Sequence, residues 1–480
     1  MVNGTGVLTR YEAGSPEGVK ALGHYAAAVK KMKERDSKDP TSWGYQAAIH
    51  GSTKFPKKDP WNQCEHQSWF FLPWHRMYLF FFEQIVRRAV VETKGPEDWT
   101  LPYWDYGPGG DSARLPEQFR EPANEAANPL YVEARADYYN EGGRLPYEEP
   151  GSIVTAARAL AAPSFLGSAR FGGGDRNISG KPHFWGETGL LENSPHNGVH
   201  RELLGWMGDP KTAAQDPIFW LHHCNIDRIW AIWNEGKSRP NPGDDKWLDQ
   251  TFTFFDISKN SMVDTRCGDV RETIAQLNYT YDPSPATSTV EEVMPTPPPP
   301  PPSGATPPPS EPKFVGASRE PLPLTGEEAE ATVRIDPRGR EEVFEAVAPE
   351  GPTRLYLNLE DIRAEDDAGS VYGVYLNLPE KPSQEDRLRR YVGNVSFFGI
   401  EETGDPPGDS QPHGMRASFE VGPVVQKLQE ETDWDQDEDP LRVTLAPIVA
   451  EQVEGVRAAP PGARKHSPVH IGRISVSVDA

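Results

Sequence analysis

The sequence predicts a mainly α protein: a four-helix-bundle domain followed by a smaller all-β, sandwich-like C-terminal domain. Three observations carry this reading. Upstream segments rich in His, Trp and Phe repeat their apolar residues at helical spacing, a proline run interrupts the chain, and short β-branched segments alternate downstream.

Taken in order, "SPEGVKALGHYAAAVKKMKER" and "FEQIVRRAVVETKG" are amphipathic helices. "WTLPYWDYG" and "RLPYEEPG" are aromatic loops punctuated by Pro and Gly. Composition then shifts at "PTPPPPPPSGATPPPSEP", which lacks backbone donors and favours an extended polyproline spacer. The expected division is residues 1–290, a linker over 291–312, and residues 313–480. An alternative use of the proline run is recognition by an SH3-like partner. Downstream, "RLYLNLEDI", "SVYGVYLNLP", "YVGNVSFFGIE", "LRVTLAPIV" and "HIGRISVSVD" are strands bounded by Gly, Pro and Asp.

The net charge of -23 argues against a sequence-independent nucleic-acid binder, and offers nothing to an anionic membrane. The longest apolar run, "WFFLPWHRMYLFFFEQIV", is broken by Pro73, His75 and Arg76 and fails as a membrane span. No secretory signal pattern opens the sequence, so a cytoplasmic protein is expected, with later release as the alternative. Three cysteines (Cys64, Cys224, Cys267) make no disulfide framework. Oligomeric state is not legible.

Of the 12 histidines, nine precede the linker: His24, His50, His66, His75, His183, His196, His200, His222 and His223. His196 and His200 stand at i and i+4, ligand spacing if the segment is helical, with no glutamate between them as a zinc protease requires. His66 and His75 flank a turn-like Pro73, and His50 ends a short helical pattern before Gly51. Four segments offering inward imidazoles point to a metal centre inside a helix bundle. An all-imidazole set suits copper or zinc better than magnesium or di-iron carboxylate chemistry, and only copper has redox chemistry. In "DPIFWLHHCNIDRIW", periodicity does not choose between His222, on a face with Ile218 and Ile226, and His223, on a face with Trp220 and Asp227.

These segments resemble the tyrosinase, catechol oxidase and hemocyanin family of dinuclear copper proteins. "HQSWFFLPWHRMYLFFFE" carries one family signature, with His66, His75, Arg76, Leu79 and Glu83 in register. "DPIFWLHHCNID" carries the other, through Asp216, Pro217, Phe219, His223 and Asp227. "LPYWDY", "LLENSPHNGVH" and the "YTY" at Tyr279 to Tyr281 extend the likeness over residues 1 to 282.

The resemblance implies two copper ions, one held by His50, His66 and His75, the other by His196, His200 and His223. It resolves the His222/His223 ambiguity in favour of His223, four residues before Asp227, and leaves His222 as a packed neighbour. It implies a thioether between Cys64 and His66, against which a buried thiol is the alternative. It gives Glu192 and Asn197 a water that takes a phenol proton, the alternative for Asn197 being a local hydrogen bond. Arg201 is implied at the pocket rim. The implied reaction is O₂-dependent oxidation of o-diphenols to o-quinones, with ortho-hydroxylation of monophenols. Alternatives are o-aminophenol oxidation and hemocyanin-like oxygen binding. Residues 313 to 480 resemble the C-terminal domain that covers the site in latent relatives, a stabilising β-domain being the other reading. The residue that plugs the site is not identifiable from the sequence.

Overall fold

A computed structural model describes residues 6–282 and 313–479, apart from 57, 59, 168, 175–187, 235–238, 348–353, 365–369, 401–413, 431–439, 459 and 461–467. The proline run and His183 therefore lie outside the described residues.

The first part is built on helices α1 (Pro16–Lys33), α2 (Trp43–His50), α3 (Phe71–Glu92), α4 (Gly198–Leu203) and α5 (Pro217–Asn234). Local chemistry sets their starts. The Ser15 hydroxyl accepts from the Gly18 amide ahead of Pro16, and the Ser42 hydroxyl accepts from the Tyr45 amide. Pro73 falls in the first turn of α3, where its missing N–H costs nothing; the chain therefore turns before it, between His66 and Phe71. α2 stops at Gly51 because the chain at Pro210 crosses it; a Cβ there would stand 2.3 Å from the Pro210 carbonyl oxygen.

α3 and α5 are buried along nearly their whole length, so apolar residues appear all round them rather than on one stripe. Strands β2 (Thr251–Asp256) and β3 (Ser261–Arg266) form a hairpin, and β4 (Tyr279–Tyr281) pairs in parallel with β1 (Leu8–Arg10), which brings the two ends of this part together.

Residues 313–479 form one nine-stranded sheet. Its path runs β10 (Tyr391–Val395), β9 (Tyr372–Leu376), β12 (Leu441–Pro447), β7 (Ala329–Ile335), β5 (Lys313–Ser318), β13 (Val469–Asp479), β8 (Arg354–Ala364) and β11 (Met415–Glu420), with β6 (Leu322–Leu324) on β13. The five segments expected as strands map onto β8, β9, β10, β12 and β13. The sheet curls so that its two ends meet: a Cβ on Gly393 in β10 would stand 2.7 Å from the Phe419 ring in β11. That rolled sheet encloses its own core of Val, Leu, Ile and Phe. Three helices, Arg340–Val347, Gln384–Arg390 and Gly422–Glu430, accompany it, so this part is sheet-rich rather than purely β.

The two parts share buried surface. Val371, Phe398, Ile448, Ala450 and Val456 belong to the core of the helical part although they come from the sheet part.

Candidate metal centre

His50 comes from the end of α2, His66 from the turn before α3, and His75 from the second turn of α3. His196 and His200 come from a widened helical turn that runs into α4, and His223 from α5. The i, i+4 pair is helical as expected, except that Ser194 is extended (φ -151°, ψ 125°) and re-aims the chain just before His196. All six imidazoles are buried, none more than 3 % exposed.

Four of them have the outer nitrogen tied down. Nδ1 of His50 donates to the Pro210 carbonyl (2.9 Å), that of His75 to Phe71 (2.8 Å) and that of His200 to Met207 (2.7 Å). Nδ1 of His196 donates to the Asn197 side-chain oxygen at 2.7 Å. A proton held at Nδ1 leaves an Nε2 lone pair pointing the other way, which fixes both tautomer and ring orientation for a metal. Burial pushes His50 and His196 down to about 3, and burial together with neighbouring imidazoles pushes His200, His222 and His223 well down. These five imidazoles are therefore neutral at ordinary pH, as ligation requires.

Inside the cluster the lone pairs face one another. His223 Nε2 stands 3.3 Å from both His196 Nε2 and His200 Nε2, and buried His50 Nε2 has no hydrogen-bond partner among the described residues. Nitrogens each about 2.0–2.1 Å from one ion in a tetrahedral arrangement lie roughly 3.3 Å apart. Such crowding of acceptors is costly unless a cation sits among them. Three overlapping groups can hold an ion: His196, His200, His222 and His223; His50, Cys64 and His66; His50, His75 and His223. None includes a carboxylate, which fits copper and not magnesium or calcium.

The remaining expected residues fall around this cluster. Glu192 accepts from the Gln67 amide at 2.7 Å, and burial, with Glu65 adding like charge, pushes its carboxyl up to about 8. Asn197 makes the local hydrogen bond to His196 just described. Cys64 Sγ lies 3.6 Å from His66 Nδ1. His222 stands beside the cluster with Nδ1 3.1 Å from the Tyr106 hydroxyl. Arg201 is only 2 % exposed and donates to the Gly208 carbonyl at 2.9 Å.

The signature residues that are not ligands form the frame. Asp227 accepts from Arg76 Nε, Tyr279 and Tyr281 at 2.5 Å each, and from Arg10 at 3.3 Å. Burial alone would raise its carboxyl; Arg76 and Arg10 outweigh that and hold it below the usual range. Arg10 also pairs with Glu83 at 2.8 Å, and Asp216 takes two bonds from Arg135. Arg10 and Arg135 are not predictable from the sequence, since a lone arginine carries no spacing signal.

The other residue sequence reasoning missed is Phe398. Its ring stacks on His200 (4.2 Å between centroids, 20° between planes) and meets His66 (5.7 Å, 85°) and His196 (5.8 Å, 81°) edge-on. A signal existed: in "YVGNVSFFGIE" period-two alternation sends Phe397 and Phe398 to opposite sides, so both cannot serve the sheet core. Phe397 fills that core and Phe398 leaves it for the histidines.

A buried imidazole cluster without a carboxylate is the donor set of a copper or zinc protein. Comparison with known proteins gives the family. Residues 40–236 match the common central domain of tyrosinase, residues 241–290 the polyphenol oxidase middle domain, and residues 311–478 a domain of unknown function. The chain is 34 % identical over 461 residues to tyrosinase HcTyr1 of Hahella sp. (strain CCB-MM4), covering 89 % of this chain and 92 % of that one. It is 27 % identical to the chloroplastic polyphenol oxidase II of Ipomoea batatas, over 89 % of this chain and 72 % of that one. The fold matches latent apple tyrosinase with a TM-score of 0.64 at 22 % identity, over 99 % of this chain and 98 % of that one. The chain belongs to the tyrosinase and polyphenol oxidase family, and it is a copper enzyme that oxidises phenols. No described helix is long and apolar enough to cross a membrane.

Proposed function

We propose that the protein oxidises o-diphenols to o-quinones with O₂, and hydroxylates monophenols at the ortho position, at two copper ions. His50, His66 and His75 would hold one, and His196, His200 and His223 the other. Bound copper supplies reversible one-electron chemistry and a place for O₂. Everything else is done by the chain. Two diphenols give up two electrons and two protons each, and O₂ leaves as two waters.

The observation that carries this reading is the seat of Phe398. An aromatic ring fits flat against His200 and edge-on to His66 and His196, with all four rings buried. A phenol ring in the same seat would lie at the Nε2 lone pairs. Glu192, whose carboxyl is held largely protonated near neutral pH by burial, and Asn197 would hold a water that relays the phenol proton. Arg201, anchored on Gly208, would shape the pocket wall once it is opened. A thioether from Cys64 to His66 would lock that imidazole.

Because Phe398 occupies the seat, the intact chain would be latent. Residues 313–480 would act as the lid over a catalytic part, residues 1–290, with cleavage in 291–312 releasing it. Copper-loaded chain, intact and nicked in 291–312, should be given a monophenol, a catechol and an o-aminophenol. Catechol and monophenol oxidation that rises on nicking is the expected result. No gain overturns latency; turnover of the aminophenol alone makes the protein an aminophenol oxidase; O₂ binding with no turnover makes it a carrier.

A further inference from the structure

The six histidines meet two kinds of aromatic neighbour. Phe71 lies against His66, His75 and His196, and Phe219 against His50, His200 and His223; a phenylalanine ring does not readily give up an electron. Among the described residues, only Trp74 and Tyr78 set an oxidisable ring against these imidazoles. The Trp74 centroid stands 4.7 Å from His75 and 6.0 Å from His50, and Tyr78 stacks on His50 at 6.4 Å.

From these two rings a line of tryptophans and tyrosines crosses the helical part. Trp74 meets Tyr78 at 4.9 Å, and Tyr78 meets Trp220 at 4.6 Å. Trp220 meets Trp43 at 6.1 Å, Trp43 meets Tyr25 at 6.5 Å, and Tyr25 stacks on Trp99 at 6.1 Å. After Tyr78 every step changes element, from α3 to α5, α2, α1 and then the segment after α3, so local spacing does not generate the line. It does not branch: the other ring contacts of these six residues, among the described residues, are with phenylalanine or histidine. All six are buried, none more than 3 % exposed, and Trp99 directly follows the exposed residues Pro96 to Asp98.

Two details fit electron transfer better than packing alone. The Trp220 indole N–H is buried with no partner among the described residues, a cost that a phenylalanine there would avoid. The Tyr78 and Tyr25 hydroxyls donate to the Gln46 and Pro217 carbonyls, which cannot take a proton. Tyrosine gives up an electron readily only together with its proton. The two tyrosines therefore bridge, and the tryptophans are the stopping points.

We propose that this line has a protective redox function: it carries electrons one at a time from Trp99 to the histidine site when an oxidant reaches that site and no phenol is present. The inference rests on copper at these histidines and adds a route that the phenol reaction does not use. It would keep oxidising equivalents from consuming the ligands. With hydrogen peroxide as the oxidant the step balances: two electrons and two protons turn one peroxide into two waters. Trp99 recovers its electrons from a small reductant in solvent, such as ascorbate, which loses two electrons and two protons. Without a reductant Trp99 is itself consumed, gaining one oxygen from water as it gives up two electrons and two protons.

The test uses the full chain, loaded with copper, dialysed, and given hydrogen peroxide under nitrogen in isotope-labelled water with no phenol. Peptide mass mapping should find one labelled oxygen on Trp99, and ascorbate should remove that mark. Trp220→Phe should abolish the mark on Trp99 and shift oxidation back to Trp74, His50 and His75, with copper content unchanged. Trp99→Phe, at the far end from the histidines, should stop it one tryptophan earlier, at Trp43. Trp233→Phe, equally buried but off the line, should leave Trp99 marked. A mark on Trp99 that survives Trp220→Phe, that carries the oxygen of the peroxide, or that forms equally in the metal-free chain overturns the proposal. If no tryptophan is oxidised while the same loaded chain, once nicked, oxidises catechol, the line is overturned and the phenol reading stands. Failure of both reactions removes both.

Discussion

Beside exposed surface pairs, the helical part has fully buried ones: Arg10 with Glu83, Arg76 with Asp227, and Arg135 with Asp216 are all nearly inaccessible to water. In the sheet part, every described ion pair has at least one partly exposed partner, as in Arg354–Glu420 and Arg473–Glu360. The sheet is held by its backbone ladder and apolar core instead. The contrast separates two tasks. Histidines that must meet within a few ångströms need a frame that fixes α3 and α5 against each other, and directional buried charge pairs supply it. The sheet part needs only to be a stable body that presents Phe398; it meets the helical part through apolar residues such as Val371 and Ile448 and through polar contacts: Asn193 with Asn394, Tyr138 with the Glu451 carbonyl, and Glu141 with the Arg457 and Ala458 amides.

That contrast can be broken at graded points. The largest effect is expected at Asp227→Ala, which strands Arg76 and Arg10 without their carboxylate; denaturant unfolding of the metal-free chain should lose about 3–5 kcal/mol. Next comes Phe398→Ala. It should leave the fold intact and raise catechol oxidation by the uncut chain about tenfold or more, measured as quinone absorbance; a rate unchanged from the parent would mean that the ring does not gate the site.

Acid should act on the frame before it acts on the sheet. The Glu83 and Asp227 carboxyls are both held below the ordinary range, so their contribution is complete above about pH 4 and is lost as pH falls through the folded values. Near-ultraviolet signals from the tryptophans of the helical part should then fade first, and loss of both parts together would contradict the separation. The smallest effect is expected at the surface of the sheet, where Arg354→Ala should cost under about 1 kcal/mol in the same unfolding measurement.

How much of this was legible follows the same division. The helical part writes its purpose into spacing: His196 and His200 stand one turn apart, and two signatures put Arg76, Glu83 and Asp227 beside the ligands. The strands were legible as alternation, but their order was not, because the long-range pairing of β13 with β8, β5 and β6 leaves no local mark. Arg10 was invisible because its partners are 73 and 217 residues away. Phe398 was not singled out in the sequence: the doubled aromatic is compatible with one ring leaving the sheet core, and only the fold shows which one leaves and where it goes. Pro73 reads as a turn residue and is not one, because a proline in a first helical turn and one in a loop look alike in sequence.

The central claim is that six of these histidines hold two copper ions, with His223 rather than His222 as the ligand from α5. The most direct measurement is copper content per chain by elemental analysis after loading and dialysis, for the parent, His223→Ala and His222→Ala. The account predicts two coppers in the parent, about one in His223→Ala and two in His222→Ala. A parent that retains a single copper, or a loss that follows His222 instead of His223, would contradict it.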